Sequence, residues 1–178
     1  MSRITRAALA TAAGFAALAG VATPAQAAPA TPSVAQLQPS HSGQCLTIAD
    51  GALRNGANAV QTKCADGLDN QLFDLVPAGA GTFEVRAKHS GRCLEVENSG
   101  TKAGTNVQQW WCVGDAPQQR WKLLLVDPAK ELYELRPSHV DDRCLDIAGG
   151  STKEGANAQQ WGCNGTPAQR WRVKPVAA

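Results

Sequence analysis

Short runs of alternating apolar and polar residues recur along this chain, separated by segments rich in Gly, Ser, Asn and Pro. Alternation with a period of two is typical of β-strands with one buried face, and the separating residues favour turns. No window of useful length shows the 3.6-residue period of a helix. In the middle of the chain the pattern predicts four strands, at 83–86, 93–96, 107–110 and 121–123.

This pattern is present three times, over about 35–79, 80–130 and 131–175. Each copy has a strand that begins at a cysteine, a Gly-x-Asn turn, a second cysteine 19 positions after the first, and a closing Gln-x-aromatic triplet. Four strands in each of three copies predict an all-β domain of twelve strands with pseudo-threefold symmetry. One copy cannot bury its own apolar face, so we expect the copies to share a core.

The inward positions of this core follow from the alternation. In each copy, two of them are the apolar residues on either side of the acid or threonine that follows the first cysteine. The others are the closing aromatic residue and the apolar residue two places beyond it. The predicted core set is Leu46, Ile48, Leu94, Val96, Leu145, Ile147, Phe73, Trp121, Trp171, Leu75, Leu123 and Val173.

The N-terminal residues carry the pattern of an export signal. Arg3 and Arg6 precede an apolar run over 7–22, and Ala25-Gln26-Ala27 supplies the small-x-small motif of a cleavage site. The run is shorter than the ~20 apolar residues of a membrane span. We therefore expect a signal peptide at 1–27, a flexible lead-in at 28–34, the folded domain at 35–178, and a secreted protein with no membrane span.

Loss of the signal peptide changes the charge. The whole chain has 17 Lys and Arg against 15 Asp and Glu, and removing Arg3 and Arg6 leaves the two signs balanced. A mature chain with no basic stripe is a poor match for a phosphate backbone, so nucleic-acid binding is not expected.

Six cysteines in an exported chain indicate three disulfides, although six thiols allow 15 pairings. The repeat selects the pairing within each copy: Cys45–Cys64, Cys93–Cys112 and Cys144–Cys163. A metal site is the alternative, but there is no Cys-x-x-Cys pair and the export route is oxidising. We expect neither a metal nor another cofactor.

Two copies place an acid, an amide and an indole on the same predicted face. If each disulfide joins opposed positions of two antiparallel segments, then Glu95 faces Trp110 and Asp146 faces Trp161. Gln108 and Gln159 fall on the same side as these pairs. An indole can stack on the C–H face of a sugar ring, while the carboxylate accepts bonds from adjacent hydroxyls.

The Gln-x-Trp closures, the Cys-Leu-[Asp/Glu]-[Val/Ile] strands and the paired cysteines resemble the ricin-B-type β-trefoil lectin family, including carbohydrate-binding modules of secreted bacterial glycoside hydrolases. The resemblance covers essentially the whole mature chain. It implies a β-trefoil and the same site assignment, with galactose-like or xylose-like units of a glycan or polysaccharide as ligand. It also implies an amide just before the closing Gln, a position held by Asn70, Gln118 and Ala168.

The three copies are unequal as sites. The first has Thr47, Val60 and Thr62 where the others have acid, amide and indole, so we expect it to contribute only to folding. The second has the full set including Gln118, with Glu95 one methylene longer than Asp. The third lacks the last amide. We therefore expect sugar binding first at the third site and next at the second.

Other interpretations stay open at this point. An acid near a Trp is also typical of an ordinary solvated face. A trefoil that has lost sugar binding, for example a protease inhibitor, would use its loops against a protein. The sequence does not decide whether Trp111, which has no counterpart, extends the second site or covers core.

Catalysis and metal binding have less support. Glycoside hydrolysis needs two carboxylates beside one bond, whereas Glu95 and Asp146 belong to different copies. His41, His89 and His139 recur at equivalent positions, where a metal on the threefold axis is one hypothesis. We favour the alternative, in which each histidine makes a hydrogen bond within its own turn.

Overall fold

A computed structural model describes residues 33–176, and the predicted signal peptide lies outside this range. The described part contains twelve strands, and every pairing between them is antiparallel. The strands are β1 (Ser33–Pro39), β2 (Cys45–Ile48), β3 (Ala57–Thr62), β4 (Phe73–Pro77), β5 (Thr82–Ala87), β6 (Cys93–Val96), β7 (Val107–Trp110), β8 (Trp121–Asp127), β9 (Leu132–Pro137), β10 (Arg143–Ile147), β11 (Ala156–Gly162) and β12 (Trp171–Pro175).

Six of these strands close into a barrel. The order around it is β1, β4, β5, β8, β9 and β12, and β12 pairs with β1 again. The other six form three hairpins, β2–β3, β6–β7 and β10–β11. The hairpins join one another where β3 pairs with both β7 and β11. The repeat predicted twelve strands with threefold symmetry, and the arrangement is the β-trefoil that the resemblance implied.

The expected core is buried, with Leu123 and Val173 partly buried at its margin. Trp121 and Trp171 are fully buried at the closures of the second and third repeats. Each indole N–H donates to a backbone carbonyl, of Leu94 at 2.9 Å and of Leu145 at 3.0 Å. Because these bonds satisfy the N–H group of each ring, both tryptophans are buried in the core without an unpaired hydrogen-bond donor.

The three disulfides join the predicted cysteines, one pair in each repeat, with Cα–Cα distances of 5.0, 5.0 and 5.1 Å. The N-terminal boundary differs slightly from the expected one. β1 begins at Ser33, so the last two residues of the expected lead-in are strand, because Ser33 and Val34 pair with Leu75 and Asp74 of β4. Within residues 33–176, no helix is long and apolar enough to cross a membrane.

Buried glutamines and the three histidines hold the repeats together. Gln61 Nε2 donates to the carbonyls of Ser151 and Lys153, at 2.6 and 3.0 Å, and Gln109 and Gln160 make the equivalent pairs of bonds to the next repeat round the ring. The histidines reach the same turns.

Each histidine Nε2 lies at 2.8–3.1 Å from a carbonyl oxygen of another repeat. The pairs are His41 with Ser151, His89 with Ala52, and His139 with Gly100. The expectation of a bond within the histidine's own turn is therefore wrong, because the barrel brings a neighbouring repeat closer than sequence spacing indicates.

Candidate functional site

The pairing register of the hairpins differs from the predicted one by two residues. Glu95 pairs with Gln108 and Asp146 with Gln159, so the predicted opposition of each acid to an indole is wrong. The ladder pairs Cys93 with Trp110 instead, and the second cysteine lies beyond the end of β7. The disulfide thus runs diagonally across the hairpin rather than between opposed residues.

A shift of two residues leaves every side chain on its predicted face, because faces alternate with a period of two. Acid, amide and indole therefore still share one side of each hairpin. In the third repeat, Gln159 Nε2 donates to Oδ1 of Asp146 at 2.8 Å. Asp146 is 6% exposed, whereas Trp161 is 43% exposed. The three side chains line a cavity of about 600 Å³.

The rest of this cavity combines an apolar wall with a polar rim. The wall consists of Ala148, Gly149, Gly150, Pro167 and Ala168. Asn164 and Thr166 of the third repeat lie on the rim together with His41, which comes from the first repeat. The site is therefore built from two repeats, a feature that the spacing within one copy did not indicate.

Burial governs the acidity of Asp146. Loss of solvent around the carboxylate raises the pKa of Asp146 above its usual 3.8. Hydrogen bonds from Gln159 and Gln169 and the electrostatic effect of His41 act in the opposite direction without cancelling the rise. A carboxyl group in this environment takes up a proton at a higher pH than an exposed aspartate.

The second repeat carries the same constellation in a smaller cavity of about 200 Å³. Glu95, Trp110 and Gln118 line it, and Trp110 is 39% exposed. Gln108 Nε2 donates to Oε1 of Glu95 at 3.1 Å. The predicted residues of this site therefore lie together, with Gln108 acting on the acid from the opposed strand.

One partner of Glu95 was missed in the sequence. Gln119, the Gln of the closing triplet, donates to Oε2 of Glu95 at 2.8 Å and to the carbonyl of Trp111 at 2.8 Å. Its own oxygen accepts the N–H of Val113 at 2.9 Å. Because Gln119 ties the acid to the segment after the indole, the closing motif shapes the site as well as the core.

In the first repeat, the side chains at the site positions are hydrogen-bonded within the repeat. Thr47 Oγ1 and Thr62 Oγ1, at the positions of acid and indole, hydrogen-bond to each other at 2.8 Å. Asn70, at the position of the last amide, donates to the carbonyl of Ile48 at 3.0 Å. The polar groups at these three positions are thus engaged within the first repeat, and none of them is a carboxylate.

A glycine of the preceding repeat lies beside each exposed indole. A methyl group placed on Gly104 would sit 3.6 Å from Cζ3 of Trp161, and one on Gly56 would sit 3.8 Å from Cζ3 of Trp110. Both glycines have positive φ angles, +86° and +76°, which glycine adopts readily. The Gly-x-Asn turn of one repeat thus lies close to the indole of the next.

Trp111 does not belong to either cavity. It is 61% exposed, and the Arg92 guanidinium stacks over its ring at 4.4 Å from the centroid. Trp111 therefore neither lines the second cavity nor packs with the buried core, so both alternatives left open by the sequence are wrong. An exposed cation–π pair of this kind contributes about 0.5–1 kcal/mol.

Each of the two cavities offers a recessed carboxylate oriented by an amide, beside a partly exposed indole face. Such a set suits a ligand with one apolar face and neighbouring hydroxyl donors. The two cavities share no lining residue, so Glu95 and Asp146 belong to separate candidate sites.

Comparison with protein-family models gave two overlapping matches. Residues 81–178 match the model described as ricin-type β-trefoil lectin domain, and residues 26–110 match the one described as ricin-type β-trefoil lectin domain-like. A search of curated proteins found no significant match.

Solved structures with the same fold include natural and designed proteins. The designed threefold-symmetric protein ThreeFoil is 35% identical with a TM-score of 0.75, over 80% of this chain and 99% of its own. An exo-β-1,3-galactanase from Clostridium thermocellum is 28% identical with a TM-score of 0.74, over 81% of this chain but only 30% of its own. The ricin B-like lectin of Macrolepiota procera, solved with lactose, is 19% identical with a TM-score of 0.68, over 83% of this chain and 98% of its own, and supports the fold alone.

Proposed function

Because the chain belongs to the ricin-type β-trefoil lectin domain family, we propose that it is a secreted carbohydrate-binding protein. It binds galactose-like or xylose-like units of a glycan or polysaccharide reversibly at two sites. The third-repeat site contains Asp146, Gln159 and Trp161. The second-repeat site contains Glu95, Gln108, Trp110 and Gln118.

One observation carries this proposal. In two repeats a carboxylate that accepts a hydrogen bond from an amide lines one cavity together with a partly exposed indole, and the first repeat replaces the acid and the indole by a hydrogen-bonded pair of threonines. An ordinary solvated surface gives no reason for a buried acid to recur beside an exposed ring. Stacking contributes about 0.5–1.5 kcal/mol and a charge-assisted hydrogen bond about 1.5–3 kcal/mol.

The proposed activity is binding without catalysis. The two acids lie in separate cavities, and each is held by amides of its own repeat. Two weak sites on one rigid body gain about 10²–10⁴-fold in avidity on a polymer when both engage it. Export fits the predicted signal peptide and the three disulfides, which persist in oxidising compartments.

A glycan array probed with the mature protein and with the double variant Glu95→Ala/Asp146→Ala tests the proposal. The wild type should retain a defined set of galactosides or xylosides, and the double variant should lose them. Thr47→Ala is the matched control, because it alters the equivalent position of the first repeat and should leave retention unchanged. Equal retention by the wild type and the double variant would show that these sites do not bind the glycan.

A further inference from the structure

The two cavities differ threefold in volume, about 600 Å³ against about 200 Å³, although both are built on the same repeat. Three equivalent positions in the linings carry smaller residues in the third repeat. The second repeat has Asn98, Ser99 and Gln118 where the third has Gly149, Gly150 and Ala168. One wall of the third-repeat cavity therefore carries three smaller residues than the same wall of the second-repeat cavity.

These three positions lie next to each other in space. A methyl group placed on Gly150 would sit 4.0 Å from Cβ of Ala168, so a side chain at either position would occupy the same volume. The backbone does not require both glycines. Asn98 and Ser99 adopt φ angles of 52° and 53° in the second repeat, close to the 63° and 57° of Gly149 and Gly150. The open wall of the third site is therefore a property of its side chains.

The space made available is apolar in lining and has polar groups at its edge. Ala148 and Pro167 extend the bare wall, and Asn164 replaces the apolar Val113 of the second site. This combination suits a second sugar ring, whose C–H surface packs on the wall while its hydroxyls reach the rim.

From this geometry we infer that the third-repeat site binds two linked sugar residues, whereas the second-repeat site binds one. The inference rests on the proposed function. The inner ring lies against Asp146 and Trp161, and the outer ring occupies the wall of Gly149, Gly150 and Ala168. The absence of an amide at Ala168 is then a feature that selects a longer ligand. Small-molecule sites commonly have cavities of about 300–1,000 Å³, a range that includes the third-repeat cavity and excludes the second.

The test compares matched monosaccharides and disaccharides: galactose with lactose, and xylose with xylobiose. Titrations are followed by the indole N–H resonances of Trp161 and Trp110, which report the two sites separately in one sample. In the wild type, we expect the disaccharide of the preferred pair to bind the Trp161 site at least about tenfold more tightly than its monosaccharide. At the Trp110 site the two affinities should agree within about twofold.

The variant Gly149→Asn/Gly150→Ser/Ala168→Gln rebuilds the wall of the second repeat on the third. It should abolish the disaccharide preference at Trp161, while the monosaccharide still shifts that resonance. If the triple variant misfolds, Ala168→Gln alone serves as the test, because it leaves the turn unchanged. It should remove most of the disaccharide preference.

An undiminished preference in the folded variants would overturn the inference, as would equal wild-type affinities for both members of each pair at Trp161. Those results leave sugar binding itself intact. Failure of every sugar to shift either resonance overturns the proposed function and this inference together.

Discussion

Gln159 donates a hydrogen bond to Oδ1 of Asp146 across 2.8 Å, from the directly opposed position of the neighbouring strand. The amide orients a carboxylate that is otherwise surrounded by protein. Burial raises the pKa of Asp146 above 3.8, while Gln159 and Gln169 favour the charged form. Gln159 therefore sets the direction of the acceptor, whereas burial accounts for the rise in its pKa.

Sugar binding at the third site should consequently depend on pH. The ionised carboxylate accepts hydroxyl hydrogens, so affinity falls as the pH drops through the pKa of Asp146. Because that pKa is raised, the loss should begin at a higher pH than for an exposed aspartate. Titrations on the Trp161 resonance between about pH 3 and pH 7 would measure this midpoint.

Asp146→Asn is the control, since it keeps the shape and removes the titration. Its residual affinity should be weak and flat over the same pH range, while the Trp121 resonance checks that the core is intact. A midpoint in wild-type affinity that persists in Asp146→Asn would assign the pH dependence to another group.

Truncation of an exposed site indole should lower glycan affinity, whereas truncation of a core indole should lower the free energy of unfolding. Trp161→Ala removes a ring that is 43% exposed, so glycan affinity should fall by about 1–2 kcal/mol with little change in the free energy of unfolding. Trp171→Ala removes a fully buried ring and should destabilise the fold by about 3–5 kcal/mol. Denaturant unfolding and sugar titration on both variants would measure these effects, and loss of binding by a fully stable Trp171→Ala protein would refute the assignment.

The histidine contacts predict that the first repeat supports the third site. His41→Leu leaves the Ser151 carbonyl with one fewer partner at the edge of the cavity wall, so stability should fall by about 1–2 kcal/mol and third-site affinity by several-fold.

His89→Leu is the matched control, because its carbonyl partner Ala52 belongs to the first repeat, which lacks the acid and the indole of a sugar site. It should cost similar stability and leave sugar affinity at Trp161 unchanged. The same measured loss of affinity in both variants would mean that the effect is general destabilisation.

The disulfides should stabilise the domain without shaping the sites directly. Closing a loop across 19 positions contributes about 3 kcal/mol in the chain-entropy model. Cys45→Ser/Cys64→Ser should therefore lower the free energy of unfolding by roughly that amount while the folded protein keeps its sugar affinity. Thermal unfolding and a sugar titration on the same sample would check both parts, and a selective loss of binding would count against this division.

The repeated cysteines and strand patterns were sufficient to predict the threefold all-β domain, its disulfides and the face that carries each acid, and the family resemblance added the trefoil. Those features are set by spacing within one copy. The exact partner of each acid was not predictable in this way, because the second cysteine lies outside the strand ladder and its disulfide is diagonal.

Contacts between copies were also beyond the pattern. Gly104 beside Trp161, and His41 at the rim of the Asp146 cavity, depend on how the barrel brings the repeats together. The wide third cavity was missed for a different reason. Ala168 looked like a missing ligand in the sequence, whereas in the fold it combines with Gly149 and Gly150 to form one open wall.

The most direct measurement is a titration of the mature protein with a sugar that it retains, followed on all five tryptophan indole N–H resonances. The account predicts that Trp161 and Trp110 shift with saturable curves, while the buried Trp121 and Trp171 and the outlying Trp111 stay in place. Saturable shifts confined to Trp111 or to the core rings, with Trp161 and Trp110 unmoved, would contradict it.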